Sequence, residues 1–159
     1  MAKYLLINSL GGGGAERQAI LLATMGVFDG IIVLENDRAY PTPSVPVYSI
    51  SPHANRTSRM IKFFTLPLYV WRIASIIKND DIVVSFLERS NMINVVVRLI
   101  RRHRAIISER QSPSLAYCGK RFRDRVQRMF IRALYPRADS IVVNSHGIRH
   151  DLTELFFIS

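Results

Sequence analysis

Six short apolar, β-rich runs alternate with helical spacing along this chain of 159 residues, and that alternation limits its fold more tightly than any other feature. The runs are Tyr4 to Asn8, Gly30 to Leu34, Val45 to Ile50, Asp81 to Ser85, Arg104 to Ser108 and Ser140 to Asn144. Between most of them lie stretches of helical periodicity: Ala15 to Met25, Ser58 to Ile77, Asn91 to Arg102, Lys120 to Leu134 and Gly147 to Phe156. Strands this short and continuously apolar are buried on both faces, which requires a mostly parallel sheet covered by helices in right-handed crossovers. The pattern predicts one α/β, doubly wound, Rossmann-like domain. Glu35 to Pro46 and Ser51 to Thr57 read as connectors.

Composition supports a folded domain, since hydrophobic residues make up 48% and charged residues 21%. Cys118 is the single cysteine, so no internal disulfide and no zinc site is expected, and a reducing setting is the default. Met1 to Leu10 runs straight into glycines without a small-residue cleavage site and reads as a first strand, not a signal peptide. The apolar stretch Met60 to Ile77 is interrupted by Lys62, Pro67 and Arg72, whereas a spanning helix needs about 20 nearly uncharged residues. The expected location is therefore cytoplasmic.

Charge is the unusual property: 22 basic against 12 acidic residues give +10. The excess is local. Twelve basic residues between Arg98 and Arg137 face only Glu109 and Asp124, which accounts for the whole net charge. Such a field attracts phosphates, on nucleic acid, on anionic lipid or on a phosphorylated substrate.

The run Asn8-Ser9-Leu10-Gly11-Gly12-Gly13-Gly14-Ala15-Glu16-Arg17 joins the first strand to the first helix. Glycines let the backbone turn sharply and approach a ligand, and the helix start presents unpaired N–H groups to an anion. A plain tight turn is the alternative. A dinucleotide motif is another: Gly11 and Gly13 open it and Glu35 stands where a ribose-binding acid belongs, but Glu16 takes the place of the third glycine.

Gly12-Gly13-Gly14-Ala15-Glu16-Arg17 resembles the glycine loop of bacterial family 4 glycosyltransferases of GT-B fold. Collinear resemblances follow at Asp81 to Leu87, Ile107-Ser108-Glu109-Arg110, Leu134 to Asp139 and Val143 to Ile148. The resemblance implies the N-terminal, acceptor-side half of a GT-B enzyme that transfers a sugar from a nucleotide-sugar with retention. It implies no essential metal and no cofactor beyond the nucleotide-sugar co-substrate. The glycine loop would approach the donor phosphate across the cleft. The final helix stops at Ser159, so a donor domain is expected beyond it and the piece alone is expected to be inactive.

Glu109 ends a central strand, where open α/β sheets bind ligands, and a carboxylate there can orient or deprotonate an acceptor hydroxyl. A salt bridge to Arg17 or Arg110 is the structural alternative. Arg17 and Arg110 are expected beside the glycine loop, where guanidinium groups suit phosphate. Ser145 and His146 end another strand; Ser145 caps the last helix or meets substrate, and His146 meets phosphate or solvent.

In the helix from Lys120, the residues Phe122, Val126, Met129 and Ala133 form one apolar stripe, expected to meet the core. Its basic residues Lys120, Arg121, Arg125, Arg128 and Arg132, with Arg101 and Arg102, are expected to rest on anionic lipid. Part of Ser58 to Ile77 either touches membrane as well or is wholly core, bent at Pro67. The partners expected are a nucleotide-sugar, a lipid-linked or glycan acceptor, the inner membrane face and the chain's own donor domain. A nucleic-acid-binding module and an NAD-dependent oxidoreductase remain alternatives on the same scaffold.

Overall fold

The strands are β1 (Lys3–Ile7), β2 (Gly30–Glu35), β3 (Val47–Ser51), β4 (Ile82–Phe86), β5 (Arg104–Glu109) and β6 (Ser140–Val143). A computed structural model, which describes residues 1–41, 44–51, 65–119 and 121–158, joins them in one sheet. The order is β3-β2-β1-β4-β5-β6 and every neighbouring pair is parallel. The helices are α1 (Gly14–Thr24), α2 (Leu66–Ile76), α3 (Glu88–Ile100), α4 (Pro113–Ala116), α5 (Phe122–Leu134) and α6 (His146–His150), the last continued by a π-helical turn, Asp151–Leu155.

Side-chain alternation along the strands builds both faces. Leu6 of β1 packs with Ile32, Leu34 and Val83 under Val70, Ile73, Ile93 and Val97 of α2 and α3. Leu5 and Ile7 point the other way, with Ile31 and Val33, onto Ala19 and Ala23 of α1. A third cluster joins Val95, Ile107, Ile131, Tyr135, Ile148 and Leu152 beneath α5 and α6. The chain leaves β1 toward β2 and returns on the other side at β4, so a crevice opens above the carboxyl ends of β1 and β4.

All six strands fall where the apolar runs predict them, within a residue or two. Helix α3 begins at Glu88, not at Asn91, because Leu87 turns the chain sharply at φ 72 directly after β4. The last helix is broken into α6 and the π-turn instead of running evenly to Phe156. The four-residue α4 has no sequence forecast. It opens on Pro113, whose missing N–H costs nothing at a helix start, and is held by Asp151, which accepts from Ser112 Oγ at 2.6 Å and Ser114 N at 2.9 Å.

Pro67 lies in the first turn of α2, where proline fits. That helix buries Tyr69, Val70, Ile73 and Ala74 and leaves Trp71 68% exposed, so it is not wholly core. The connector around Pro52, the predicted helical residues 58–64 with Phe63 and Phe64, and Lys120 lie outside the described residues.

Helix α3 meets the sheet through a polar seam that fixes its depth. Ser90 Oγ donates to Asn8 Oδ1 at 2.8 Å, while Asn94 Nδ2 donates to Val83 O at 3.0 Å and to Ser85 Oγ at 3.1 Å. Asn94 Oδ1 lies 2.9 Å from Nε2 of the buried His103. Burial pushes the His103 imidazole down to about 4, so it is neutral near pH 7.

Candidate functional site

The glycine turn sits at the crevice. Gly12 has φ 105, a left-handed conformation that side chains disfavour, and a Cβ there would come 3.3 Å from the Cβ of Ala39. The turn is clasped from the β2 side: Leu10 N donates to Asp37 O, Ala39 N donates to Leu10 O, both at 2.9 Å, and Tyr40 Oη donates to Gly13 O at 3.3 Å. Gly13 is the N-cap of α1, with no side-chain cap on the first N–H groups. A Cβ on Gly13 would meet the Glu16 carboxylate, which folds back over the turn; one on Gly14 would meet nothing within 4 Å. The turn therefore needs Gly12 for its backbone, while Gly14 leaves open space beside the helix start.

Arg110, directly after β5, reaches α1. Its guanidinium lies 4.2 Å from the ring centre of Phe86, at the end of β4, and donates to Gln18 Oε1 on α1. A cation thus bridges the crevice between the β5 loop and α1. Arg17 lies exposed in the first turns of α1, one residue before Gln18. The fold does not bring Ser145 and His146 to it: β6 is three strands from β1, about 14 Å at the usual spacing. Ser145 Oγ accepts from Ile148 N at 3.2 Å, so it caps α6, and His146 is exposed.

Glu109 is 3% exposed. Its Oε1 accepts from Arg110 N at 3.0 Å and Gln111 N at 3.2 Å, and its Oε2 accepts from the Tyr135 hydroxyl. Arg110 meets Glu109 through its backbone, and its guanidinium turns to Phe86 and Gln18. Burial raises the Glu109 carboxyl above the usual range, against those three donors. This geometry holds the loop Arg110-Gln111 in place.

A second carboxylate was not anticipated. Glu88, at the start of α3, lines a recess of about 20 Å³ with Leu87, Glu109, Gln111, Pro113 and Tyr117, room for a single water or hydroxyl. Burial and then the nearby Glu109 raise its carboxyl to about 7, while the Gln127 side chain and Arg123 pull the other way. The strand-end argument applied to Glu109 finds Glu88 only when β4 is carried to Phe86 and the argument is extended past Leu87 to the first residue of α3.

Glu35, the expected ribose-binding acid, is instead engaged by Arg89 Nη1 at 2.5 Å and lies buried. Among the described residues no three His, Cys, Asp or Glu side chains group as a metal site, and no helix is long and apolar enough to cross a membrane.

Helix α5 presents the opposite face from that predicted. Asp124, Ile131 and the following Tyr135 are buried, half a turn from Phe122 and Met129, which are 83% and 57% exposed. Both sides carry apolar residues, so periodicity alone did not choose between them. Arg121, Arg125, Arg128 and Arg132 repeat at helical spacing as one basic stripe beside the exposed apolar one. Arg128 Nη1 donates to Tyr117 O and Arg132 Nη2 to Leu155 O, each at 2.8 Å, so those two stems lie along the surface. Arg101 and Arg102 follow α3 at the amino-terminal edge of the sheet, the far end from Arg121.

Fold and site together define a doubly wound α/β domain with an uncapped glycine turn, attended by arginine, at its topological switch point. No protein-family model matches the chain. Over 161 residues it is 33% identical to N-acetylgalactosamine-N,N'-diacetylbacillosaminyl-diphospho-undecaprenol 4-alpha-N-acetylgalactosaminyltransferase of Campylobacter jejuni, covering 98% of this chain and 44% of that protein. Its whole length also superposes on 46% of sucrose-phosphate synthase from Thermosynechococcus elongatus, with a TM-score of 0.71 at 14% identity, a likeness of fold. The chain thus has a glycosyltransferase as its sequence relative and the fold of a GT-B half, and it spans less than half the length of either protein.

Proposed function

We propose that this chain is the acceptor-side domain of a retaining glycosyltransferase that moves a sugar from a nucleotide-sugar onto a lipid-linked acceptor. The observation that carries the reading is the switch-point crevice, where the start of α1 offers N–H groups without a side-chain cap and the Arg110 guanidinium bonds Gln18 further along the same helix. Backbone donors and a guanidinium are what a donor diphosphate requires, because charge collects on its oxygens as the bond to the sugar breaks.

In this reading Gly12 shapes the turn, Gly14 lets phosphate approach, Gly13 does so once the Glu16 carboxylate swings aside, and Arg17 and Arg110 supply charge. Glu109 acts on the acceptor side by holding the Arg110-Gln111 loop, and Ser145 and His146 border the outer acceptor region. A donor domain beyond Ser159 completes the site. The Campylobacter relative is named for a diphospho-undecaprenol acceptor, and the basic stripe of α5 gives this chain a surface that suits the cytoplasmic face of an anionic membrane.

Transfer of labelled sugar from a panel of nucleotide-sugars into bacterial lipid extract tests the proposal, using the full-length protein and this chain in parallel. Transfer by the full-length protein alone is expected. Neither transfer nor donor hydrolysis by it, across the panel, overturns the reading.

A further inference from the structure

Between α3 and α5 runs a groove of about 520 Å³, inside the roughly 300 to 1,000 Å³ typical of small-molecule sites. Its walls are mainly apolar: Met92, Ile93 and Val96 on one side, Val126, Phe130 and Leu134 on the other. Helix α3 follows β4 and so begins at the carboxyl edge of the sheet, the edge that carries the crevice; Tyr69 near the start of α2 and Gln127 of α5 meet that end of it at Arg89 and Glu88. Leu66, Arg89 and Phe122 therefore mark the groove's upper end and Leu134 its lower end. From Phe122 to Leu134 the helix covers about 18 Å at 1.5 Å per residue.

Charge sits at one end of this channel. Arg89 and Arg123 line the upper part, and among the described residues no charged one lines the lower. Arg89 spends Nη1 on Glu35, while its buried Nη2 finds no acceptor among the described residues. Phe122 stands 83% exposed at the same mouth. A ligand that fits has an anionic head at the crevice end and a long, slim hydrocarbon tail. Burying such a tail contributes about 0.8 kcal/mol per methylene in general, so a few isoprene units suffice for selective binding.

We infer that this groove holds the proximal isoprenoid units of a polyprenyl diphosphate acceptor, with the diphosphate at the Arg89 and Arg123 end and the sugar directed to the crevice. This rests on the glycosyltransferase reading and adds to it where the lipid lies. It also gives the unpaired apolar wall of α5 a role separate from membrane contact: the groove grips one chain, while Phe122 and Met129 face outward.

The probe is farnesyl diphosphate below its micelle concentration, with inorganic diphosphate as control, titrated against this chain labelled at Ile, Leu and Val methyls. Saturable shifts at Ile93, Val96, Val126 and Leu134 with farnesyl diphosphate, absent with diphosphate, are expected. Val126→Trp, which fills the channel, and the rim variant Phe130→Ser should each weaken farnesyl diphosphate about tenfold or more and leave diphosphate unchanged. Methyls that ignore the probe overturn the inference, whether because another part of the chain fills the groove or because a second copy covers it at high concentration. Binding that neither variant alters overturns it too. In the full-length protein the same variants should raise KM for a long-chain acceptor and not for a water-soluble one. Wild-type transfer with no such distinction removes the groove and keeps the enzyme; absence of transfer by wild type removes the enzyme reading, while the methyl titration still judges the groove.

Discussion

Arg89 Nη1 donates to Glu35 Oε1 at 2.5 Å while the guanidinium lies 5.2 Å from the Tyr69 ring centre, so one side chain ties the end of β2 to α2 and α3. The Glu35 side chain is 2% exposed, and removing Arg89 takes one charged hydrogen-bond donor from a carboxylate buried beside the sheet. Arg89→Ala is expected to cost about 1.5 to 3 kcal/mol in urea unfolding, the range for losing one hydrogen bond to a charged group, and adding Glu35→Gln should return part of that loss. Equal losses in the single and double variants would show that the pair does not govern stability here.

The same pair decides the dinucleotide alternative. An acid at the end of β2 serves a ribose only if its carboxylate faces the crevice, and this one is turned to Arg89. NAD is expected not to bind by calorimetry at millimolar concentration; tight binding would restore that alternative.

The strands and their parallel arrangement were legible because burial on both faces leaves a run of apolar residues that needs no partner to be recognised. The glycine turn was legible for a similar local reason: only φ 105 at Gly12 and an uncapped α1 explain consecutive glycines there. Contacts between distant residues were not. Glu109 reads as a strand-end carboxylate in sequence, and nothing local announces that Tyr135, 26 residues later, will donate to it. Helix α5 carries apolar residues on two sides, so which side meets the core depends on Ile131 and Tyr135 joining Ile107, a tertiary fact.

Gly12 and Gly14 separate backbone need from ligand access. Gly12→Ala forces a side chain into positive φ against Ala39, and about 1 to 3 kcal/mol of destabilisation is expected. Gly14→Ala meets no atom and lies within α1, so stability should hold or rise by roughly 0.4 to 1 kcal/mol. If phosphate approaches the turn, Gly14→Ala nonetheless raises KM for the nucleotide-sugar in the full-length protein. Unchanged KM would make the turn a purely structural one.

Two buried groups give opposite pH slopes. His103 falls from 6.5 to about 4 on folding, so the unfolded chain binds the extra proton and stability drops as pH falls through that interval. Glu88 rises from 4.5 to about 7, so the folded chain holds the proton and stability drops as pH rises through that one; Glu109, also raised, adds to the same slope. The contributions oppose each other between about pH 4.5 and 6.5. His103→Gln, which keeps a donor for Asn94, should make stability fall more steeply with rising pH than in the parent. Glu88→Gln should tilt the profile the other way. Urea midpoints at four pH values from 4.5 to 7.5 measure both, and a shift of the same sign in both variants would refute the assignment.

Helix α5 sets its basic stripe beside exposed Phe122 and Met129, the pairing expected of a helix lying on a charged lipid surface. Arg121 and Arg125 are exposed, whereas Arg128 and Arg132 donate to carbonyls, so the first two are the groups to test. Each basic residue near an anionic surface contributes about 1 kcal/mol, so Arg121→Ala with Arg125→Ala should weaken binding to phosphatidylglycerol vesicles roughly thirtyfold. Added salt should weaken the parent far more than the double variant. Phe122→Ser should reduce binding at every salt concentration, because apolar insertion is not screened. A basic stripe used for nucleic acid gives a different pattern: duplex DNA binds with steep salt dependence, vesicles do not, and Phe122→Ser changes nothing.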